Sequence, residues 1–510
     1  MNPGSRTGLA LGPTTPAHAA LFAFAAWAIS ALHYATFFEF ERPIYTDVRY
    51  FLYFAWRLAE GDVAHLELFD NKTFLANFAG AALYRLGEGL GLDPLHFIRA
   101  TMLALASTGG LLAYWVFRRI GHGSVAMGYL GLLALLSFGI LGELPAIGNF
   151  PKLLMGLFIP ATALAIARGY WLAAGVFGAL AFLDWQVGAL VGGAAVVCAL
   201  VSGEGRARNT TRVILGGLLG LAPFVFYSVI HGALGAAFDQ TFAMSLARAS
   251  DSIDTMGWTA RLERIAWTAG RADPEQRALM LISLIGLPVS WAWCWREWGT
   301  STGRLLLVLC LTHTGLFVFS LTDFQRFGDF YVLMLTSAFW LGITWAGALG
   351  WATRWAGADP RKHRAAVIAT LVLATLAARP FTFRPPINLW TKHVPQSVTL
   401  GDQREVATAL RQRIDDGTFV ALASSEILFL MRHKNPLPII YLNVPSHLYN
   451  ALPGEENPSE TAGRLIESTD PDFFVYPLRH PLPPRLQQNY TLTPLEQEPG
   501  GYRVQVYERN

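Results

Sequence analysis

Asp47, Arg49, His65, Asp70 and Lys72 fall within one stretch, Phe40 to Gly91, that separates the first long apolar run of the chain from the second. Side chains of these types take up protons and hold anions. Thr46 or Asp47 is placed to cap a following helix, DVRYFLYFAWRLAEG, which Gly61 terminates. That helix is apolar all round, which predicts a position in the membrane interface with Asp47 at its leading end. A carboxylate fixed where water meets lipid headgroups suits a general base. It would take a proton from a hydroxyl or amine acceptor while a lipid-linked donor leans in from the bilayer. A plain helix cap explains Asp47 equally well.

Leu68 to Leu75, LFDNKTFL, opens a second helix that runs through Arg85 to Gly87. A lysine near a helix start gains nothing from the macrodipole, which favours cations at the C-terminal end. Lys72 is therefore a candidate for holding a phosphate oxygen, with the helix N-terminus adding backbone donors. A solvated or snorkelling lysine is the plainer alternative.

The elements that must position these residues follow from composition. Of 510 residues, 53% are hydrophobic and only 15% charged, against about 25% charged in a soluble domain. Apolar runs of about 20 residues, enough to cross a hydrocarbon core of about 30 Å as a helix, recur from residue 20 to residue 379. They predict about eleven helices, some short enough to be tilted or partly buried, and exclude an outer-membrane barrel of alternating strands. Asp184, Trp185 and Gln186 interrupt one of these runs. A single long helix there would reverse the orientation of everything after it.

With the N-terminus inside, five basic loops fall on the cytoplasmic side: Arg118-Arg119, Arg168, Arg206-Arg208-Arg212, Arg296-Arg304 and Arg354-Arg361-Lys362-Arg364. The same parity puts the stretch holding Asp47, the segment with Glu143 and Asn149, the loop with Arg326, and everything after Arg379 outside. A multi-pass protein of the inner (cytoplasmic) membrane is the expected location. The net charge of +3, without a basic and aromatic block, argues against nucleic acid as a partner. Cys198, Cys294 and Cys310 all lie in apolar runs and read as core residues, not as a disulfide or metal framework.

From Pro380 the chain turns polar and proline-rich. Short apolar stretches at Phe419–Ala423, Leu437–Leu442, Asp472–Tyr476 and Tyr502–Tyr507, with a helix near Arg404–Ile414, predict a small extracytoplasmic α/β domain over 380–510. Residues 1–379 form the predicted membrane domain, with a first external loop over 39–96. The fold class is thus mainly α, a polytopic helix bundle with a small appended α/β unit. No internal repeat is evident, which weakens a transporter reading.

The order of Thr46-Asp47 after the first span, a helix ending in Glu60-Gly61, and Phe69-Asp70-Asn71-Lys72 before an apolar helix resembles the GT-C glycosyltransferases. Within them it is most similar to the bacterial group of protein O-mannosyltransferases and the lipid A aminoarabinose transferase. The family's D-x-K-P-P-L pattern is here D-N-K-T-F-L, without its prolines. Its N-x-E-P pattern is replaced by Asn149-Phe150-Pro151-Lys152, with Glu143 as the nearest external acid. Ala181-Phe182-Leu183-Asp184-Trp185-Gln186 stands where the family has F-L-T-K-x, again without the lysine.

The resemblance implies an inverting transferase that uses a polyprenyl-phosphate sugar as donor and a glycan, lipid or protein acceptor. Asp47 carries over as the base, and Lys72 and Arg326 as the groups that hold the donor phosphate. Arg49, Asp70, Glu143, Asn149 and Lys152 complete the candidate substrate contacts. The sequence supports no metal site and names no cofactor. The alternatives are a transporter or flippase of lipid-linked sugars and a non-catalytic membrane scaffold; both would leave these ionisable groups without a shared external cavity.

Overall fold

The computed structural model describes residues 15–45, 47–203, 205–244, 259, 274–322, 329–357, 359–378, 397–415, 417–439, 458–476, 482–493, 502 and 504–510. The chain is mostly helical, with one small mixed sheet near its C-terminal end. Its first span, α1 (Pro16–Ala35), starts where Thr15 accepts a hydrogen bond from the His18 amide and Pro16 occupies the first turn. Two helices that do not qualify as spans follow, α2 (Val48–Ala59) and α3 (Leu75–Gly89), and they pack on each other. The long α4 (Pro94–Ile120) is capped by Asp93, whose carboxylate accepts from the His96 amide at 3.0 Å.

Then come α5 (Val125–Leu136) and α6 (Ile140–Ile147), a pair bent by 62°. They lead into α7 (Met155–Ala167), α8 (Trp171–Asp184), α9 (Ala189–Val201) and α10 (Arg206–Ile230). Helices Pro274–Ser283, Gly286–Arg296, Ser301–Thr322, Asp329–Trp355 and Pro360–Ala378 complete the bundle. Each of the eleven apolar segments anticipated from sequence contains helix. Among the described residues six helices are long and apolar enough to cross a membrane, and the bent pair makes a seventh. The others are shorter or less apolar, and α7, α8 and α9 pack among the longer ones.

Apolar transfer gives helices little reason to associate inside lipid, so close backbone approach has to do it. Gly216 and Gly220 of α10 lie against Gly175 and Ala179 of α8. A Cβ on Gly216 would come within 2.0 Å of the Leu172 carbonyl, and one on Gly175 as close to that of Val213. The outer face of α10 exposes Leu215, Leu218, Leu219 and Phe226, whereas helix Tyr331–Trp355 is mostly buried along its apolar stretch. The interruption at Asp184 is a true break. Trp185 is extended, a short turn of tight helix follows at Gln186–Gly188, and α9 folds back on α8 with Gly178 facing Gly192.

The sheet runs β1 (Phe419–Ala421), β2 (Phe473–Val475), β3 (Tyr490–Thr493) and β4 (Val506–Arg509), in spatial order β1-β2-β4-β3. The β1–β2 pair is parallel and the others are antiparallel. Val420, Phe474, Tyr490 and Tyr507 build its core with Ala462 and Ile466 of helix Pro458–Thr469. The strand expected at Leu437–Leu442 does not form over its described residues, 437–439, while β3 was not anticipated. Helix Leu400–Ile414 begins with a reciprocal capping box between Thr399 and Asp402.

The C-terminal segment is stitched to the loop between α1 and α4. Gln403 bonds both the amide (2.7 Å) and the carbonyl (2.8 Å) of Ile44, and Arg404 reaches Asp93 at 2.6 Å. The Phe69 amide donates to the Pro438 carbonyl at 2.9 Å. Lys434 and the buried Arg57 share Asp62, and Tyr53 links Arg57 to the Asn435 amide.

Candidate functional site

Asp47 is exposed at the head of α2 and, contrary to the capping expectation, its side chain makes no capping hydrogen bond. The backbone around it is held from two sides. From the bundle, buried Arg99 of α4 donates to the Ile147 carbonyl at 2.8 Å and the Pro43 carbonyl at 3.3 Å, while Arg42 donates to the Glu143 carbonyl at 3.4 Å. The Tyr45 hydroxyl donates to the buried Glu143 carboxylate at 3.3 Å. Burial first, and the Glu143 charge second, push ionisation of that hydroxyl well upward. Glu143 therefore anchors the residue two positions before Asp47.

From the C-terminal segment, Glu426 pairs with Arg49 at 3.7 Å and accepts from Tyr502 at 2.5 Å. Arg49 also donates to the Tyr50 hydroxyl at 2.6 Å, and its guanidinium lies over that ring. Its charge is already engaged, so Arg49 orients the start of α2.

Asn149, at the turn before α7, is buried and donates to the Ala76 carbonyl of α3 at 2.7 Å. Gly80 leaves room for it, since a Cβ there would stand 2.5 Å from the Asn149 amide nitrogen. Gly148, at φ 148°, passes close to Val48, and the Phe150 ring packs edge-on against Phe51 at 5.5 Å. The segment 148–150 thus touches both the first turn of α2 and the body of α3. Asp70 lies near the start of α3, buried, with the Lys72 amide (2.9 Å) and the Asn77 amide group (2.6 Å) donating to its two oxygens. Burial outweighs those bonds and the nearby Lys72 charge and raises the carboxyl to about 7. Lys72 itself is half-buried beside Asp70.

Lys152 is 5% exposed and adopts φ 90°, a left-handed backbone that side chains other than glycine rarely take. Its ammonium stands 4.1 Å from the Trp185 ring centroid. Asp184, fully buried at the α8 break, receives the Met155 amide at 3.1 Å and faces the amides of Lys152 and Leu154 as well. The break thus supplies the carboxylate that fixes the strained turn at Lys152. Next to it, Gln186 donates to the carbonyls of Asn71 (2.8 Å) and Thr241 (3.2 Å). That ties the Lys72 turn to the Lys152 turn.

Gln240 completes the frame, accepting from the Asp70 amide and bonding the His65 ring and carbonyl. Burial lowers His65 to about 4, so it is neutral here. An apolar groove of about 620 Å³, lined by Gln186, Leu190, Trp291, Val318 and Phe319, opens beside this cluster.

Asp47, Lys72, Asn149 and Lys152, on turns, and Glu143, on α6, are therefore carried by segments that touch one another at one end of the bundle. Arg326 lies outside the described residues. Asp184, Gln186 and Gln240 were not singled out as site residues from sequence. For Asp184 a signal existed, a lone acid breaking an apolar run. Gln186 and Gln240 offered none, because an amide in a loop has many uses.

Bundle, bent pair, helical loop before α4 and appended sheet together define a polytopic, mainly helical membrane fold with a small mixed sheet. The chain matches no family model and no curated protein. Among solved structures it is similar to ArnT from Cupriavidus metallidurans bound to undecaprenyl phosphate, with a TM-score of 0.60 and 14% identity over 97% of this chain and 98% of that one. The apo state of the same protein superposes with a TM-score of 0.56, again at 14% identity, over 96% and 97% of the two chains. At this identity the likeness establishes a shared fold.

Proposed function

We propose that the protein is a membrane glycosyltransferase that moves a sugar from a polyprenyl-phosphate donor to a hydroxyl or amine acceptor. The observation that carries this reading is the likeness, along nearly the whole chain, to a transferase structure bound to undecaprenyl phosphate. Asp47, exposed at the head of a helix anchored on both sides, is the base that takes the acceptor proton. Attack on the face opposite the leaving phosphate inverts the anomeric centre.

Lys72 and Lys152 hold the phosphate that departs, with Arg326 assigned to it by the resemblance of its loop. The groove beside Gln186 takes the apolar tail, which needs no polar partner. The basic loops of the sequence support an orientation with this end of the bundle, and the C-terminal domain proposed over 380–510, on the extracytoplasmic side of the inner membrane. The acceptor, whether glycan, lipid or protein, is met from that side.

Transfer of labelled sugar from a polyprenyl-phosphate donor in detergent tests the reading. Asp47→Asn is expected to lower the rate by roughly 10²- to 10⁴-fold without shifting the melting temperature, since the amide cannot accept a proton. Unchanged transfer by this variant would remove Asp47 as the base.

A further inference from the structure

A second cavity, of about 710 Å³, lies at the far end of the bundle. Arg99, near the start of α4, bonds the turns beside Asp47. Arg118 and Arg119, at the other end of that helix, and His122 just past it, line this cavity about 30 Å of helix away. Arg168, just past the end of α7, faces it from a second helix. The third wall is the N-terminal end of helix Ser301–Thr322, the positive end of its dipole. Trp115 and Tyr170 supply aromatic surface, with the Arg118 guanidinium over the Trp115 ring at 5.0 Å.

From this geometry we infer that the cavity is a binding site for a phosphate group, and that an anionic glycerophospholipid headgroup is its occupant. Three observations converge. The one acid among the described lining residues, Glu297, already has Arg296 at 3.6 Å, so it does not neutralise Arg119 and Arg168 together. Arg119 is aimed across the cavity mouth, donating to the Ser301 hydroxyl at 2.7 Å, where a phosphate oxygen could replace that acceptor. Trp115 and Tyr170 are amphipathic rings of the kind enriched at headgroup depth. Membrane insertion requires only that the loops contain arginines. It does not require arginines from two helices to share a cavity with a helix N-terminus. The site is remote from Asp47 and stands whether or not the chain transfers sugar.

The test is thermal unfolding of the full-length protein in neutral detergent, titrated with phosphatidylglycerol, phosphatidylcholine or inorganic phosphate. Phosphatidylglycerol is expected to raise the melting temperature saturably and phosphatidylcholine much less. Arg119→Gln/Arg168→Gln should weaken the apparent affinity about tenfold or more, the size of one lost charge-assisted hydrogen bond. Arg119→Lys/Arg168→Lys keeps the loop charge, and with it the insertion orientation, while removing the planar fork; it should fall between the two. An equal rise with inorganic phosphate would support the phosphate site and assign it a soluble occupant. No rise with phosphatidylglycerol or phosphate, or a rise that both double variants keep in full, would overturn the proposal.

Discussion

At the end of the bundle that holds Asp47, Arg57 and Lys152 are each 5% exposed and Asp184 and Arg99 are wholly buried, every one among named acceptors, donors or rings. At the other end Arg119, Arg168 and His122 are exposed around an open cavity. Both ends are rich in charge, but the first buries its charged groups among the backbone turns they hold. A buried ion forces its surroundings into one arrangement, because leaving it unpartnered costs several kcal/mol. An exposed arginine imposes no such demand and is available to a mobile ligand. The contrast matches a site that must be pre-organised against one that only has to attract.

The largest expected effect falls on the buried end. Asp184→Leu strips the Lys152 turn of its anchoring carboxylate and should cost about 3–5 kcal/mol, read as a fall in melting temperature. A variant as stable as the parent would mean that the turn holds itself. A smaller effect distinguishes Asp70. Because burial lifts its carboxyl from 3.8 to about 7, the folded chain binds more protons than the unfolded one between those values. Stability from this group is full at low pH and declines as pH rises through that window. Asp70→Asn should flatten this part of the stability profile, and an unchanged slope would show that Asp70 is ionised throughout. The smallest effect belongs to the far end. Arg168→Gln without added lipid should leave stability within about 0.5 kcal/mol, as exposed substitutions do. A large loss there would erase the distinction between the two ends.

Much of the membrane portion was legible in advance. The eleven apolar segments, the break at Asp184 and the two extra helices before α4 follow from run length and from Gly, Pro and charged interruptions along the chain. The tail was harder. Its strands are only three or four residues long, so alternation had too few positions to register, and β3 went unseen. Among the candidate site residues, Asp47 and Lys72 stood out by type and position, while Lys152 read first as an interfacial anchor. Glu143 and Arg49 drew notice as substrate contacts, whereas their bonds to Tyr45 and to Glu426 are those of residues that position the head of α2.

Sequence alone determined which segments form apolar helices and where they break, because the cost of burying a polar group in an apolar surrounding is set residue by residue along the chain. Tertiary structure alone decided which loops meet. The pairing of Asp184 with the Lys152 turn, of Gln186 with Asn71, and of Glu426 with Arg49 joins positions far apart in the chain. Those contacts depend on how closely helices such as α8 and α10 approach, and that distance is set by packing in three dimensions.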